Sequence, residues 1–154
     1  TVLDDPSYAK CSVAMSFYLF RAIEKVGLYE RTIDLWDVWR TMVENNLTTC
    51  VEDHVNQRSD CHAWGALILY EIPSVVLGVR PVEPGFSKIE ISPVAGYFDW
   101  ANGEVTTPKG MVKVSWRKNS ETGEIDLNYE LPVGVVIMEE EKESNIKYVT
   151  TKNR

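Results

Sequence analysis

The sequence predicts an α+β fold in which a helical part precedes a part made of strands. Residues 1–78 contain long segments whose apolar residues recur at spacings of three and four, as in amphipathic helices. From residue 79 onward, prolines and glycines become frequent, and short alternating runs replace the long periodic segments. We therefore predict two domains, at residues 1–78 and 79–154.

Three helices are predicted in the first domain. The first begins near Asp4, Asp5 and Pro6, which favour a first helical turn, and ends near Gly27. The second covers YERTIDLWDVWRTMVENN, and the third covers HAWGALILYEIPSVVLG, where Pro73 should kink or break it. The third helix is apolar nearly all round, which predicts burial. The apolar positions of the first two are Val13, Phe17, Phe20, Ile23, Ile33, Trp36, Val38, Trp39, Met42 and Val43.

These helices have more large apolar side chains than so few helices can bury among themselves. We infer that they belong to a larger helical domain or that the chain self-associates through an exposed helical surface.

Alternating segments predict antiparallel strands in a small sandwich or sheet: KIEIS, MVKVSW, EIDLNYEL and GVVIMEE, with turn signals at NG, PKG and TGE. The segment GVRPVEPGF is predicted as the linker, and the acidic run at 139–143 as a solvated edge or turn. Trp116 alternates with Val112 and Val114, so we expect the aromatic residues here to form a core. If Trp100, Tyr97 or Phe98 were exposed instead, they would suit carbohydrate binding.

Composition and charge restrict the class of protein. The chain has 154 residues, of which 44% are hydrophobic and 25% are charged, as in globular domains. A net charge of -7 argues against nucleic acid, which needs a basic face. No run approaches the ~20 apolar residues of a membrane span, and no signal peptide opens the chain. We expect a soluble protein, cytoplasmic or periplasmic, cut from a longer polypeptide because it begins with Thr1.

One polar connection, TTCVEDHVNQRSDCHAW at residues 48–64, concentrates chemically active residue types between two helices. Its cysteines and histidines have the spacing C-x3-H-x6-C-H, which lacks the two-residue knuckle of structural zinc sites. Nothing marks either thiol as a nucleophile, and a Cys50–Cys61 disulfide stays open. We predict no metal and no cofactor. Glu52, His62 and Trp64 combine a carboxylate, a polar ring and an aromatic face, the groups that act on sugars.

The order of four motifs resembles the C-terminal end of the bacterial α-L-rhamnosidases. These motifs are TT-x-x-E at Thr48 to Glu52, S-x-C-HAW from Ser59, VLG-V-x-P-x-x-PGF from Val76 and G-x-V-x-TP-x-G from Gly103. The resemblance covers roughly residues 8 to 135. It implies the last helices of an (α/α)6-barrel catalytic domain followed by an antiparallel β-sandwich.

The resemblance also implies roles for some residues of the connection. Glu52 would be the general base that activates water, and His62 would contact the hydroxyls of a rhamnose-containing glycoside. Trp64 joins His62 as a substrate-binding residue, although we expect it to pack in the core rather than stack on sugar. Arg58 and Asp60 are expected to order the loop through an ion pair or a helix cap. Asp53 is the rival carboxylate, and His54 has no implied role.

Such enzymes invert the anomeric centre with a carboxylic acid and a carboxylate on opposite sides of the bond. The resemblance places the acid upstream of this sequence, so the 154-residue chain alone should not turn over substrate. The alternative from another class is a non-catalytic carbohydrate-binding or scaffolding module.

Overall fold

A computed structural model describes residues 3–53, 56, 58–138 and 146–153, the last segment by its backbone. The chain forms two compact units, Thr1–Ile68 and Leu69–Arg154. The predicted domain boundary at 78/79 stays a prediction. His54 and the acidic run at 139–143 lie outside the described residues. No helix in the described part of the chain is long and apolar enough to cross a membrane.

The first α-helix is shorter than predicted. Helix α1 spans Ser16–Lys25, whereas residues 4–12 are exposed turns and irregular chain. The Asp5 carboxylate accepts a hydrogen bond from the Ser7 main-chain N–H at 2.9 Å, and the Ser12 hydroxyl accepts one from the Met15 N–H at 3.3 Å. The predicted start at Asp4 is therefore wrong, because this segment has no apolar stripe that packing could stabilise as a helix.

The second predicted helix divides into a 3-10 helix at Tyr29–Trp36 and helix α2 at Asp37–Glu44. The Thr32 hydroxyl donates to the Tyr29 carbonyl at 2.7 Å and accepts a bond from Trp36 Nε1 at 3.1 Å, so the tight turns keep their buried polar groups paired. Phe20 lies edge-on to three aromatic rings of this segment, with centroid distances of 5.3 to 6.3 Å. Of the predicted apolar face, the structure buries Trp36, Trp39 and Met42 and exposes Ile33 and Val43.

The third predicted helix is broken into short pieces. A 3-10 turn at Ala63–Gly65 precedes helix α3 at Ile68–Glu71 and a π-helical turn at Ile72–Val76. The predicted break at Pro73 is confirmed, and it follows from the missing N–H of proline. The predicted burial of this segment is only partly right: Leu67, Val75 and Val76 are buried, whereas Leu69, Tyr70 and Ile72 are exposed.

The strands of the second unit form two sheets, ordered β1-β2-β6 and β3-β4-β5-β7. The pairs β1–β2, β3–β4 and β4–β5 are antiparallel as predicted, whereas β2–β6 and β5–β7 are parallel. The α+β class is confirmed, and the barrel and sandwich assignments stay proposals. The bounds are β1 Val79–Pro81, β2 Lys88–Ile91, β3 Trp100–Thr107, β4 Gly110–Lys118, β5 Ile125–Leu131, β6 Val136–Ile137 and β7 Ile146–Asn153.

Two local predictions fail in this unit. The pair Asn102-Gly103 lies inside β3, opposite Ser115 and Val114, and is not a turn. A Cβ at Gly103 would come within 2.7 Å of Leu77 Cδ1, so the glycine allows a close approach between β3 and residue 77. The predicted linker also contains strand β1.

Aromatic residues of this unit divide between core and surface. Trp116 is buried as predicted, and its Nε1 donates to the Val76 carbonyl at 2.8 Å. Tyr97 and Phe98 stack with their ring centroids 4.2 Å apart and are half-buried. Trp100 is 58% exposed, so the expectation that it joins the core is wrong.

Candidate functional site

The connection between α2 and α3 contains a loop whose two ends are joined by hydrogen bonds. The His62 N–H donates to the Cys50 carbonyl at 2.7 Å, and the Glu52 N–H donates to the Ser59 carbonyl at 2.9 Å. The Thr49 hydroxyl also donates to the Asp60 carbonyl. We call these paired segments, residues 49–52 and 59–62, the neck of the loop. They hold Glu52 and His62 on two backbone segments that face each other.

The neck rests on the aromatic core of the first unit. Val51 is buried, and a Cβ at Gly65 would come within 2.8 Å of the Val51 carbonyl oxygen. The Gly65 carbonyl in turn accepts a hydrogen bond from Trp39 Nε1 at 2.8 Å. Because these contacts are buried and tightly packed, they position the polar residues of the neck on a rigid support.

Glu52 lies at the centre of the polar groups of the loop. Its side chain is 25% exposed, with Arg58 Nη2 at 3.2 Å from Oε1 and His62 Nδ1 at 3.9 Å from Oε2. The carboxylate therefore stands between a guanidinium and an imidazole, and part of it faces solvent. A carboxylate in this position can accept a proton from a water molecule on its open side.

His62 and Trp64 lie next to each other at the start of the following turn. Their rings meet edge-on, with centroids 5.8 Å apart and planes at 79°. Trp64 is 72% exposed, so the expected packing of Trp64 in the core is wrong. The physical reason is the 3-10 turn, in which Gly65 takes the buried position and Trp64 points outward.

The remaining polar residues of the loop have distinct contacts. Arg58 forms an ion pair with Glu52, in agreement with the ion-pair alternative. The Asp53 carboxylate accepts hydrogen bonds from the Asn56 main-chain N–H at 3.1 Å and from its side-chain amide at 2.7 Å. This rival carboxylate is therefore engaged within its own turn. Asp60 is exposed and contributes its carbonyl to the neck.

The cysteines are free thiols, with Cys11 and Cys61 exposed and Cys50 half-buried. Within the described ranges, no three His, Cys, Asp or Glu residues lie close enough together to hold a metal ion. The loop thus brings together the three predicted site residues, Glu52, His62 and Trp64. Sequence reasoning offered an ion pair for Arg58 but did not identify Glu52 as its partner, because no local spacing rule relates residues across an irregular loop.

Comparisons with known proteins support the predicted resemblance. The family described as bacterial alpha-L-rhamnosidase C-terminal domain matches residues 78–151. A GH78 family rhamnosidase of Bacillus sp. GL1 is 27% identical, with a TM-score of 0.80 over 99% of this chain and 18% of its own. No curated protein is significantly similar in sequence.

Two further solved structures share the fold. The α-L-rhamnosidase of Dictyoglumus thermophilum has a TM-score of 0.62 and that of Aspergillus terreus 0.66, each at 22% identity. The matches cover 80% and 81% of this chain, and 15% and 16% of the Dictyoglumus and Aspergillus chains. The chain spans less than a fifth of the length of all three enzymes. The predicted resemblance to the bacterial α-L-rhamnosidases is therefore confirmed, and residues 78–151 are the segment that matches the C-terminal domain of that family.

Proposed function

We propose that this chain is the C-terminal part of an α-L-rhamnosidase that hydrolyses terminal α-L-rhamnosyl linkages with inversion. Glu52 acts as the general base, and a carboxylic acid from an upstream part of the protein protonates the leaving oxygen. In this mechanism the Glu52 carboxylate removes a proton from water as the water attacks the anomeric carbon. Inversion requires the two carboxyl groups to stand ~6.5–9.5 Å apart, which leaves room for the water between Glu52 and the anomeric carbon.

The observation that carries this proposal is the position of Glu52. Its carboxylate is partly open to solvent, lies between Arg58 and His62, and stands on a neck fixed by two main-chain hydrogen bonds. A general base needs this combination, because its orientation must be fixed while one oxygen stays accessible to water. Asp53 lacks it, since both of its oxygens accept hydrogen bonds from Asn56.

The sugar would lie over His62 and Trp64. The exposed indole of Trp64 offers an apolar face to the C–H groups of a pyranose, and the His62 ring offers a nitrogen to its hydroxyls. A rhamnose ring suits such a surface because its methyl group and axial hydrogens are apolar whereas its hydroxyls are polar.

The test is hydrolysis of 4-nitrophenyl α-L-rhamnopyranoside by the full-length protein that contains this chain. Proton NMR of the first product should show the β anomer of rhamnose, which is the result of inversion. The isolated 154-residue chain should give no turnover, because it lacks the general acid. Release of the α anomer, or turnover by the isolated chain, would contradict the proposal.

Replacing His62 with alanine in the full-length protein should mainly raise KM for the nitrophenyl rhamnoside. The imidazole would contact sugar hydroxyls in the ground state as well as in the transition state, so its loss weakens both states together. We expect KM to rise about tenfold and kcat to change little, as for one lost hydrogen bond to a neutral partner. Steady-state kinetics check this, and a loss confined to kcat would assign His62 to the chemical step instead.

We also expect the isolated chain to self-associate. In the first unit, Met15, Tyr18, Val26 and Val43 are all more than half exposed, with exposures from 53% to 75%. Exposed apolar side chains that lie together favour burial against another surface. Light scattering should detect dimers or larger species, and Tyr18→Lys with Val43→Lys should shift the mass toward the monomer. A monomer that binds no hydrophobic dye would contradict this expectation.

One observation favours the alternative of a non-catalytic carbohydrate-binding module. Trp100 on β3 is exposed, which a core role would not require. This residue belongs to the second unit, whereas Glu52 belongs to the first.

A further inference from the structure

The outward side of strands β3, β4 and β5 contains an ordered set of polar groups beside Trp100. The register places Trp100 opposite Arg117 and Arg117 opposite Asp126 in one row. It places Asn102 opposite Ser115 and Ser115 opposite Asn128 in the next row. We call the six side chains of these two rows the Trp100 face. Their neighbours along each strand point inward, with Val114, Trp116 and Leu127 buried.

The dimensions of this face follow from strand geometry. Three adjacent strands span about 10 Å across the sheet, and two rows span ~7 Å along it. Side chains directly opposite each other on neighbouring strands have Cβ atoms about 5 Å apart. The side chains of the Trp100 face are therefore close enough together to contact a single ligand.

The next part of the same side of the sheet is chemically different. Lys113 lies between Glu104 and Glu130, with nitrogen–oxygen distances of 3.9 and 3.6 Å. The Thr106 hydroxyl contacts Met111 Sδ at 3.3 Å. The polar and charged groups of this part of the sheet are therefore paired with one another. By contrast, no hydrogen bond joins the side chains of Asn102 and Ser115 to any other residue that the structure describes.

We propose that the Trp100 face is a binding surface for a neutral saccharide, independent of the loop that holds Glu52. The indole would cover the C–H side of a pyranose ring, and the Asn102 amide and Ser115 hydroxyl would bond to its hydroxyl groups. Charge does not oppose a neutral ligand at this face. Arg117 faces Asp126, and Asp126 also lies in register with Lys147 of β7. The chain as a whole carries -7, which disfavours anionic polymers.

The experiment compares neutral sugars, a charged sugar and a second copy of the chain as ligands of the Trp100 face. The 15N-labelled 154-residue chain is titrated with the methyl α-pyranosides of L-rhamnose, D-glucose and D-galactose, and with D-galacturonate as the anionic counterpart. We expect a saturable shift of the Trp100 indole resonance and of the Asn102 and Ser115 amides with at least one neutral sugar. Galacturonate should give none.

Two substitutions assign the effect to the indole ring. Trp100→Ala should weaken binding at least about tenfold, as for removal of an aromatic anchor at an interface, and Trp100→Phe should restore part of it. Unfolding midpoints of both variants should match the unmodified chain, because Trp100 is exposed. Val133→Ala is the control, since it removes an exposed apolar side chain of the same unit outside the Trp100 face and should leave these shifts unchanged.

Three outcomes overturn the proposal: no shift with any neutral sugar, equal binding by Trp100→Ala, or shifts that follow protein concentration instead of sugar. The last would identify the face as a contact between two copies of the chain. None of these outcomes depends on whether the full-length protein hydrolyses rhamnosides, because binding to the isolated chain is measured without turnover.

Discussion

Replacement of Glu52 by glutamine is expected to lower kcat of the full-length protein by about 10²–10⁴-fold, the usual contribution of a general base. Glutamine keeps the shape of the side chain and one carbonyl oxygen, but it cannot accept the proton of the attacking water. The neck should keep its form, because its bonds to Ser59 and Cys50 involve only the main chain. KM for 4-nitrophenyl α-L-rhamnopyranoside should therefore change little.

The neighbouring carboxylate provides a matched control for this substitution. Asp53→Asn removes a negative charge one residue away, on a side chain that already bonds to Asn56. This variant should retain most of its kcat. If Asp53→Asn lost activity and Glu52→Gln kept it, Asp53 and not Glu52 would be the general base.

Replacement of Gly78 by alanine is expected to destabilise the isolated chain by about 2–4 kcal/mol. Gly78 has a φ of 78°, and an added Cβ would lie 2.3 Å from the Pro93 nitrogen and 2.5 Å from the Ser92 oxygen. These are main-chain atoms that cannot rotate away, and Gly78 also accepts a hydrogen bond from the Ser92 N–H at 2.9 Å. The estimate combines about 1 kcal/mol for the left-handed backbone with ~1–3 kcal/mol for overpacking.

A second glycine separates these two contributions. Gly123 has a similar φ of 73°, but a Cβ there would meet nothing within 4 Å. Gly123→Ala should therefore cost only about 1 kcal/mol, the backbone part alone. Urea denaturation of both variants measures the difference. Equal losses would mean that the segment around Ser92 and Pro93 moves aside without cost.

The strands could be predicted where one face of a sheet is buried, because burial imposes a two-residue period. Val112, Val114 and Trp116 show this period in β4, and all three are buried. Exposure alternates in β3 as well, but Asn102-Gly103 has the composition of a turn, and the glycine instead allows the close approach of Leu77. Parallel pairing of β6 and β7 with distant strands leaves no local pattern in the sequence.

The helices were harder to delimit. Spacing identified Trp36, Trp39 and Met42 as buried residues, but it could not reveal that Tyr29–Trp36 forms a 3-10 helix. Within this segment the Thr32 hydroxyl bonds to both Tyr29 and Trp36 in the core. The spacing of apolar residues does not encode such side-chain hydrogen bonds.

The candidate site was predictable by residue type and motif but not by geometry. The sequence indicates Glu52, His62 and Trp64 as a group, and the structure places Glu52 beside His62 and His62 beside Trp64. The contact between Arg58 and Glu52 depends on the path of the loop and has no signature in spacing. The exposure of Trp64 depends on the adjacent Gly65, which fills the buried position of the turn.

The closed neck of the loop has a consequence for how this protein can diverge. Two main-chain hydrogen bonds join its sides, so the placement of Glu52 relative to His62 rests on backbone atoms that nearly every residue type provides. Substitutions that keep these two bonds can therefore change the surface of the loop without displacing Glu52 or His62. Such a frame separates the positions of the candidate groups from the chemistry of the side chains around them.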